Sequence, residues 1–271
     1  MEATNCQKIN EFREHLIDEE KSSNTIDSYI TTVKIFFEEF GELTKENMIS
    51  FKQAQLEKWK PKTAANRCIA MNGYCEFMGK PECKVKGIKI HKQNCVENVI
   101  SLDEYEYFLK CLKTDKKEKV YWMLKFLAKT GARASEFVRF EKDCLKTGQV
   151  TLWTKGKIRN ILIPEELIAE SAEYFSETDT KWLFPNKYGN QMSTRGVAEI
   201  VRKNGKKYGI REEVLHPHAF RHLFAKQFLK NNGNIALLAD LMGHESVDTT
   251  AIYLKMSAEE QRDQFNAASK W

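Results

Sequence analysis

His218-Ala219-Phe220-Arg221-His222, then Leu241-Met242-Gly243-His244, then Tyr253 nine residues after that last histidine: this order governs the reading of the whole chain. Upstream stand Thr130-Gly131-Ala132-Arg133-Ala134-Ser135-Glu136 and, on a segment that reads as a β-hairpin, Thr154-Lys155-Gly156-Lys157. Two arginines, a lysine and two histidines around one hydroxyl are the parts needed to break a phosphodiester without a metal. The diester is already an anion, and attack places more charge on its non-bridging oxygens. Guanidinium groups suit that charge, because the fork binds two oxygens and keeps its proton.

Each side chain has a local reason to point at one site. Arg133 follows a helix stop at Thr130-Gly131, which projects it from an element terminus. On a helix, positions 218, 221 and 222 share a face, while Ala219, Phe220, Leu223, Phe224 and Phe228 pack elsewhere. Gly243 ends one helix, His244 sits in the turn, and Ser246 caps the next, which carries Thr249, Thr250 and Tyr253. A phenol with pKa ~10 lies about three units from ionising at pH 7, a cost of ~4 kcal/mol. Nearby cations and a general base are needed to lower it, a use for the histidines. A lysine on the hairpin tip suits protonation of the leaving hydroxyl. Lys155 is the first candidate, with Lys157 and Arg159 as rivals.

Singly, these residues have plainer readings. Arg133 or Arg221 is a surface ion-pair arginine, Tyr253 an amphipathic surface tyrosine, and His216, His218 and His222 are satisfied core histidines or a weak metal cluster. No neighbouring Cys, Asp or Glu completes a ligand set for those histidines, so neither a metal nor another cofactor is expected. The joint pattern favours the phosphodiester site.

Composition agrees. The 271 residues suit two domains, each burying its own core, and 30% are charged, as in an ordinary soluble protein. No apolar run approaches the ~18 residues of a membrane span, and Met1-Glu2-Ala3-Thr4-Asn5-Cys6 lacks a signal-peptide pattern, so a cytoplasmic protein (bacterial cytosol or nucleoid) is expected. The seven cysteines show no Cys-x-x-Cys spacing and read as free thiols. The net charge of +5 is uneven: residues 1–57 carry −6 and residues 58–92 carry +7. Lys58, Lys60, Lys62, Arg67, Lys84, Lys86, Lys89 and Lys92 form a stripe that suits a polyanion, or equally a solvated charge run; with Lys157 and Arg159 they are the candidate DNA-binding residues.

The fold class expected is mainly α with a small β-hairpin. Residues 1–81 predict a helical bundle, with apolar faces Ile9–Ile17 and Ile26–Phe40, Thr44 capping a third helix, and a fourth from Thr63 stopped by Gly79 and Pro81. Residues 82–97 have a basic linker composition. Ser101-Leu102-Asp103-Glu104 is a capping box that opens a second domain, 98–271, whose runs Val150–Thr154 and Ile158–Ile163 make the hairpin, with Pro164 starting the next helix.

In these motifs the chain resembles the tyrosine recombinases of the phage-integrase type. The likeness covers roughly residues 101–255 by motif, and the N-terminal bundle agrees with that family's core-binding (SAM-like) domain. It implies an α+β catalytic domain with Arg133, Lys155, His218, Arg221, His244 and Tyr253 in the catalytic roles and Glu136 orienting the first arginine. It further implies a 3′-phosphotyrosyl intermediate, no ATP or Mg²⁺, and double-stranded DNA as partner. A dimer per site, a tetramer in synapsis and an accessory directionality factor complete the implied assembly. Ala132 and Phe220 depart from the residues usual at their positions, without loss of a catalytic one. The alternatives are an architectural or regulatory DNA-binding protein on the same fold and a type IB topoisomerase. After Tyr253, Ser257-Ala258-Glu259-Glu260 caps a short helix whose Phe265, with Trp271, reads as an anchor onto a neighbouring protomer.

Overall fold

The computed structural model describes residues 3–90, 99–154, 157–176, 180–231, 233–244 and 246–254, with residues 262, 266 and 269. The tail anchors Phe265 and Trp271 lie outside these. Contacts divide the chain into two units, Met1–Lys92 and Gln93–Trp271.

The first unit is built on α1 (Ala3–Asp18), α2 (Ser23–Phe40), α3 (Lys45–Lys58) and α4 (Pro61–Phe77). Ser22 and Thr44 cap α2 and α3 through their hydroxyls. Gly41 ends α2 at φ +75°, a left-handed turn that side chains resist. Pro61 opens the fourth helix two residues before the expected Thr63, because a first-turn proline loses no hydrogen bond. The core gathers Phe12, Phe36, Phe51, Met71 and Tyr74, with Phe12 and Tyr74 edge to face at 5.1 Å.

The expected basic linker is corrected over its described part, 82–90. A 3₁₀ turn at Pro81–Cys83 leads into a strap on the bundle, with Cys83 and Val85 buried in its core. Asn72 grips Val85 at both backbone groups, each at 2.9 Å, and Lys52 donates to the Lys86 carbonyl at 2.9 Å. Two apolar side chains among the lysines, together with these hydrogen bonds, seat this stretch on the helices.

In the second unit, α5 (Leu102–Thr114) starts at the Ser101–Glu104 capping box, both reciprocal bonds being present. Then come α6 (Glu118–Thr130), α7 (Ala134–Phe137), α8 (Cys144–Thr147), β1 (Gln149–Thr154), β2 (Lys157–Leu162), α9 (Glu165–Ser176), α10 (Thr194–Lys207), α11 (Pro217–Lys230), α12 (Ile235–Met242) and α13 (Val247–Thr250), followed by a 3₁₀ turn, Ala251–Leu254. The strands are antiparallel, with Leu152 opposite Arg159 and Thr154 opposite Lys157. Val150, Leu152 and Ile161 turn inward, while Trp153, Ile158 and Leu162 are exposed. Packing of α6 against α11 is close. A side chain at Gly131 (φ +60°) would meet the Phe224 ring at 2.4 Å. No helix among the described residues is long and apolar enough to cross a membrane.

Candidate active site

Gly131 reverses the chain after α6, and Arg133 becomes the N-cap residue of α7. Glu136, three residues on, reaches back and accepts from the Arg133 amide at 2.7 Å and from its guanidinium at 2.9 Å. The other arm of Arg133 donates to the Gly243 carbonyl at 3.0 Å. A buried carboxylate thus aims Arg133 across the chain at the turn that holds His244.

Arg221 projects from the second turn of α11 and is 1% exposed, although it is a full cation. It donates to the Gly131 carbonyl and, at 2.6 Å, to the Met242 carbonyl. One belongs to the C-cap residue of α6 and the other to the last residue of α12, where the helix end leaves its carbonyl without an intrahelical donor. Burial, then Arg133 and Arg159, pull its pKa down to about 10, so it stays charged at neutral pH.

Arg159 is where the structure corrects the sequence reading. Expected as a DNA-facing cation or a rival general acid, it points inward from β2 with 9% of its side chain exposed. Its Nε lies 2.8 Å from Glu136 Oε1, in ion-pair range but off-axis for a hydrogen bond, and Nη2 donates to the Leu241 carbonyl at 3.1 Å. Nη1 lies against Gly243, where any Cβ would fall 1.7 Å from it. The reason is the two-residue period of a strand: position 159 shares a face with buried Leu152 and Ile161, not with exposed Ile158. A third arginine therefore belongs to the site.

The histidines divide by role. His216 is the N-cap of α11, its Nδ1 accepting from the Ala219 amide at 3.1 Å. His218 stands exposed at the rim, its ring edge to face with His222 at 4.5 Å. His244 lies 3.1 Å from Arg221 through Nε2 and 2.8 Å from the buried Thr250 hydroxyl through Nδ1. Arginine can only donate, so Nε2 accepts and the ring proton sits on Nδ1, facing Thr250. Burial, then Arg221, Arg133 and Arg159, hold His244 down at about 4, which keeps it neutral.

Tyr253 is 6% exposed and packs with Ala225, Leu238 and Met242. Its ring stacks on His244 at 6.5 Å, and its hydroxyl meets His222 Nδ1 at 2.8 Å. Burial raises its pKa, outweighing the opposite pull of Arg221 and Arg133. Cations alone therefore do not ionise this phenol in the DNA-free protein. Sequence reasoning put His222 on the site face without assigning it a role; only the fold shows it at the nucleophile.

Arg133, Glu136, Arg221, His244 and Tyr253 thus converge, with His218 at the rim beside His222. Lys155 and the side chain of Lys157 lie outside the described residues, as does Lys92. Of the other expected DNA-facing residues, Lys58, Lys60, Lys62, Lys86 and Lys89 are exposed on the first unit. Arg67 instead donates to Gln55 at 2.6 Å and lies 4.7 Å over the Trp59 ring, and Lys84 pairs with Glu76.

The profile of the Phage integrase family matches residues 98–260. Tyrosine recombinase XerA of Pyrococcus furiosus is 29% identical over 281 residues, spanning 96% of this chain and 93% of that protein. Among solved structures, the Tn1549 transposon integrase in complex with transposon right end DNA superposes with a TM-score of 0.73 at 17% identity, over 98% of this chain and 99% of that one. A lambda integrase dimer bound to a core site gives 0.73 at 14% identity, over 91% and 76%.

Proposed function

The chain belongs to the phage integrase family, and we propose that it cuts and rejoins duplex DNA with Tyr253 as nucleophile, through a 3′-phosphotyrosyl intermediate, without metal or ATP. It is a tyrosine site-specific recombinase, an enzyme of DNA breakage and rejoining. The observation that carries the residue assignment is the convergence on one carboxylate. Arg133 and Arg159 share Glu136, and Arg221 lies beside them against the His244 that stacks on Tyr253.

Charge decides what this pocket holds. Three arginines less one glutamate leave +2, and His222 and His244 are neutral at pH 7. One positive charge balances the resting diester, and the second meets the charge that develops as tyrosine attacks. Donors fixed in advance for a developing charge are the strongest single source of rate enhancement. Arg133 and Arg221 bind the non-bridging oxygens, while Arg159 and Glu136 hold Arg133 and the His244 turn in place. His218 and His244 add neutral imidazoles, and Lys155 protonates the departing 5′-hydroxyl, with Lys157 as its alternative. The bond energy is kept in the phosphotyrosine, so the religating hydroxyl needs no ATP.

The first unit is the core DNA-binding domain, its exposed Lys58, Lys60, Lys62, Lys86 and Lys89 facing the backbone. A lambda integrase dimer bound to a core site supports two protomers per site here; a tetramer in synapsis and an accessory directionality factor complete the assembly we propose. The setting is the cytoplasm. A nicked suicide substrate tests the assignment: the wild type is expected to form a covalent adduct on a denaturing gel. Tyr253→Phe keeps the ring and DNA binding, and an adduct from it would sink the reading.

A further inference from the structure

The phenol has to lose a proton, and the structure offers three imidazoles near it. His244 is committed. Its Nε2 lone pair faces Arg221 and its Nδ1 proton faces Thr250, so it has no lone pair for tyrosine unless the Arg221 contact breaks. His218 touches His222 rather than Tyr253. His222 meets the hydroxyl directly, Nδ1 to Oη at 2.8 Å, with the rings 5.4 Å apart. The other groups facing Tyr253, Arg221 and Arg133, carry only donors. Among the described residues, the hydroxyl proton therefore has one acceptor.

We propose that His222 is the proton acceptor for Tyr253, a catalytic residue beyond those assigned from the family motifs. The inference rests on Tyr253 being the nucleophile. In the forward step the Oη–H proton passes to His222 Nδ1, Oη bonds to phosphorus, and the bond from phosphorus to O5′ breaks as that oxygen is protonated by the general acid. In religation His222 returns the proton to the departing tyrosine, so the cycle closes with no net change.

The surroundings make this transfer depend on DNA. Burial first, then His218, His216 and Arg221 from α11 and its N-cap, and His244 on the turn after α12, all disfavour a positive His222. These hold its pKa at about 4, so it is neutral at working pH, and its Nε2–H tautomer is the one that presents the Nδ1 lone pair to the hydroxyl. Without an anion in the pocket, a proton moved to His222 would add to three arginines, and the tyrosine stays protonated. A phosphodiester between Arg133 and Arg221 offsets that repulsion. The nucleophile is armed by the substrate.

The test is single-turnover cleavage of a nicked suicide substrate by the full chain across neutral to alkaline pH. His222→Gln keeps a polar partner for the hydroxyl but takes no proton. Near neutral pH it is expected to slow cleavage by about 10²–10⁴-fold, the usual worth of a general base. Its rate should then climb about tenfold per pH unit, as hydroxide replaces the lost base, and approach the wild type. A uniform, pH-independent loss, or no loss, would overturn the proposal. A substrate with sulfur at the 5′-bridging position, which leaves without a proton, should not rescue His222→Gln; rescue would move His222 to the leaving-group side and refute it. His222→Asn carries the same readouts should the glutamine variant misfold. If the wild type forms no adduct, it is the nucleophile assignment that fails. If it does and His222→Gln matches it at every pH, only the present inference fails.

Discussion

Gly243→Ala tests whether Arg159 holds the His244 turn. Position 243 has φ +58°, and an alanine there carries roughly 1–2 kcal/mol of left-handed strain wherever it occurs. The larger effect comes from the neighbour: the new Cβ would sit 1.7 Å from Arg159 Nη1 and 2.7 Å from Cζ. The guanidinium must leave, giving up Glu136 and the Leu241 carbonyl. A charged hydrogen bond such as the one to Leu241 is worth about 1.5–3 kcal/mol net, so with the strain the total should reach ~2.5–5 kcal/mol. In an Arg159→Ala background only the strain should remain, leaving a coupling of ~1.5–3 kcal/mol. Urea unfolding of the four proteins, followed by fluorescence, measures it. Four of the five tryptophans (Trp122, Trp153, Trp182 and Trp271) belong to the second unit, so the signal reports the unit that is perturbed. Equal destabilisation by Gly243→Ala in both backgrounds would show that the arginine does not hold the turn.

Cleavage should survive EDTA, and Arg133→Ala should slow it by ~10²–10³-fold, the cost of one lost transition-state donor; activity that a chelator removes and Mg²⁺ restores would overturn this. His222 and His244 are held at about 4, below the ~6.5 of an unfolded histidine. The unfolded chain therefore takes up protons first, and stability is full above ~6.5 and drains as pH falls toward 4. A urea midpoint that does not drop between about pH 7 and about pH 5 would contradict the burial of these rings. Trypsin should spare Lys84 and Lys86 in the folded protein, because Asn72 and Lys52 tie down that backbone; early cleavage there would show the strap to be loose.

The helix ends were the most legible part of the sequence. Thr44, Ser101 and Gly41 act through atoms a few residues away, and local chemistry suffices to read them. The catalytic order was legible too, because residue type and spacing carry it. Arg159 was misread although the period-2 alternation with Ile161 was available, since its charge outweighed its register. His222 stayed without a role because its partner lies 31 residues away, a pairing that only the packing of α11 against the final 3₁₀ turn creates. The strap was hidden for a similar reason. Val85 is seated by Asn72, 13 residues earlier, and lysines around it dominate the composition.

Arg221 combines 1% exposure with bonds to the ends of two helices. One side chain is at once keystone and reagent, so this position cannot be silenced while the architecture is kept. Removing that side chain would leave two buried carbonyls without their donor, at about 1–3 kcal/mol each, a large part of an ordinary domain's stability. A substitution at this codon is therefore expected to weaken the fold together with the chemistry. An inactive relative that still occupies sites is far easier to reach through Tyr253, where one oxygen is lost and the ring stays packed.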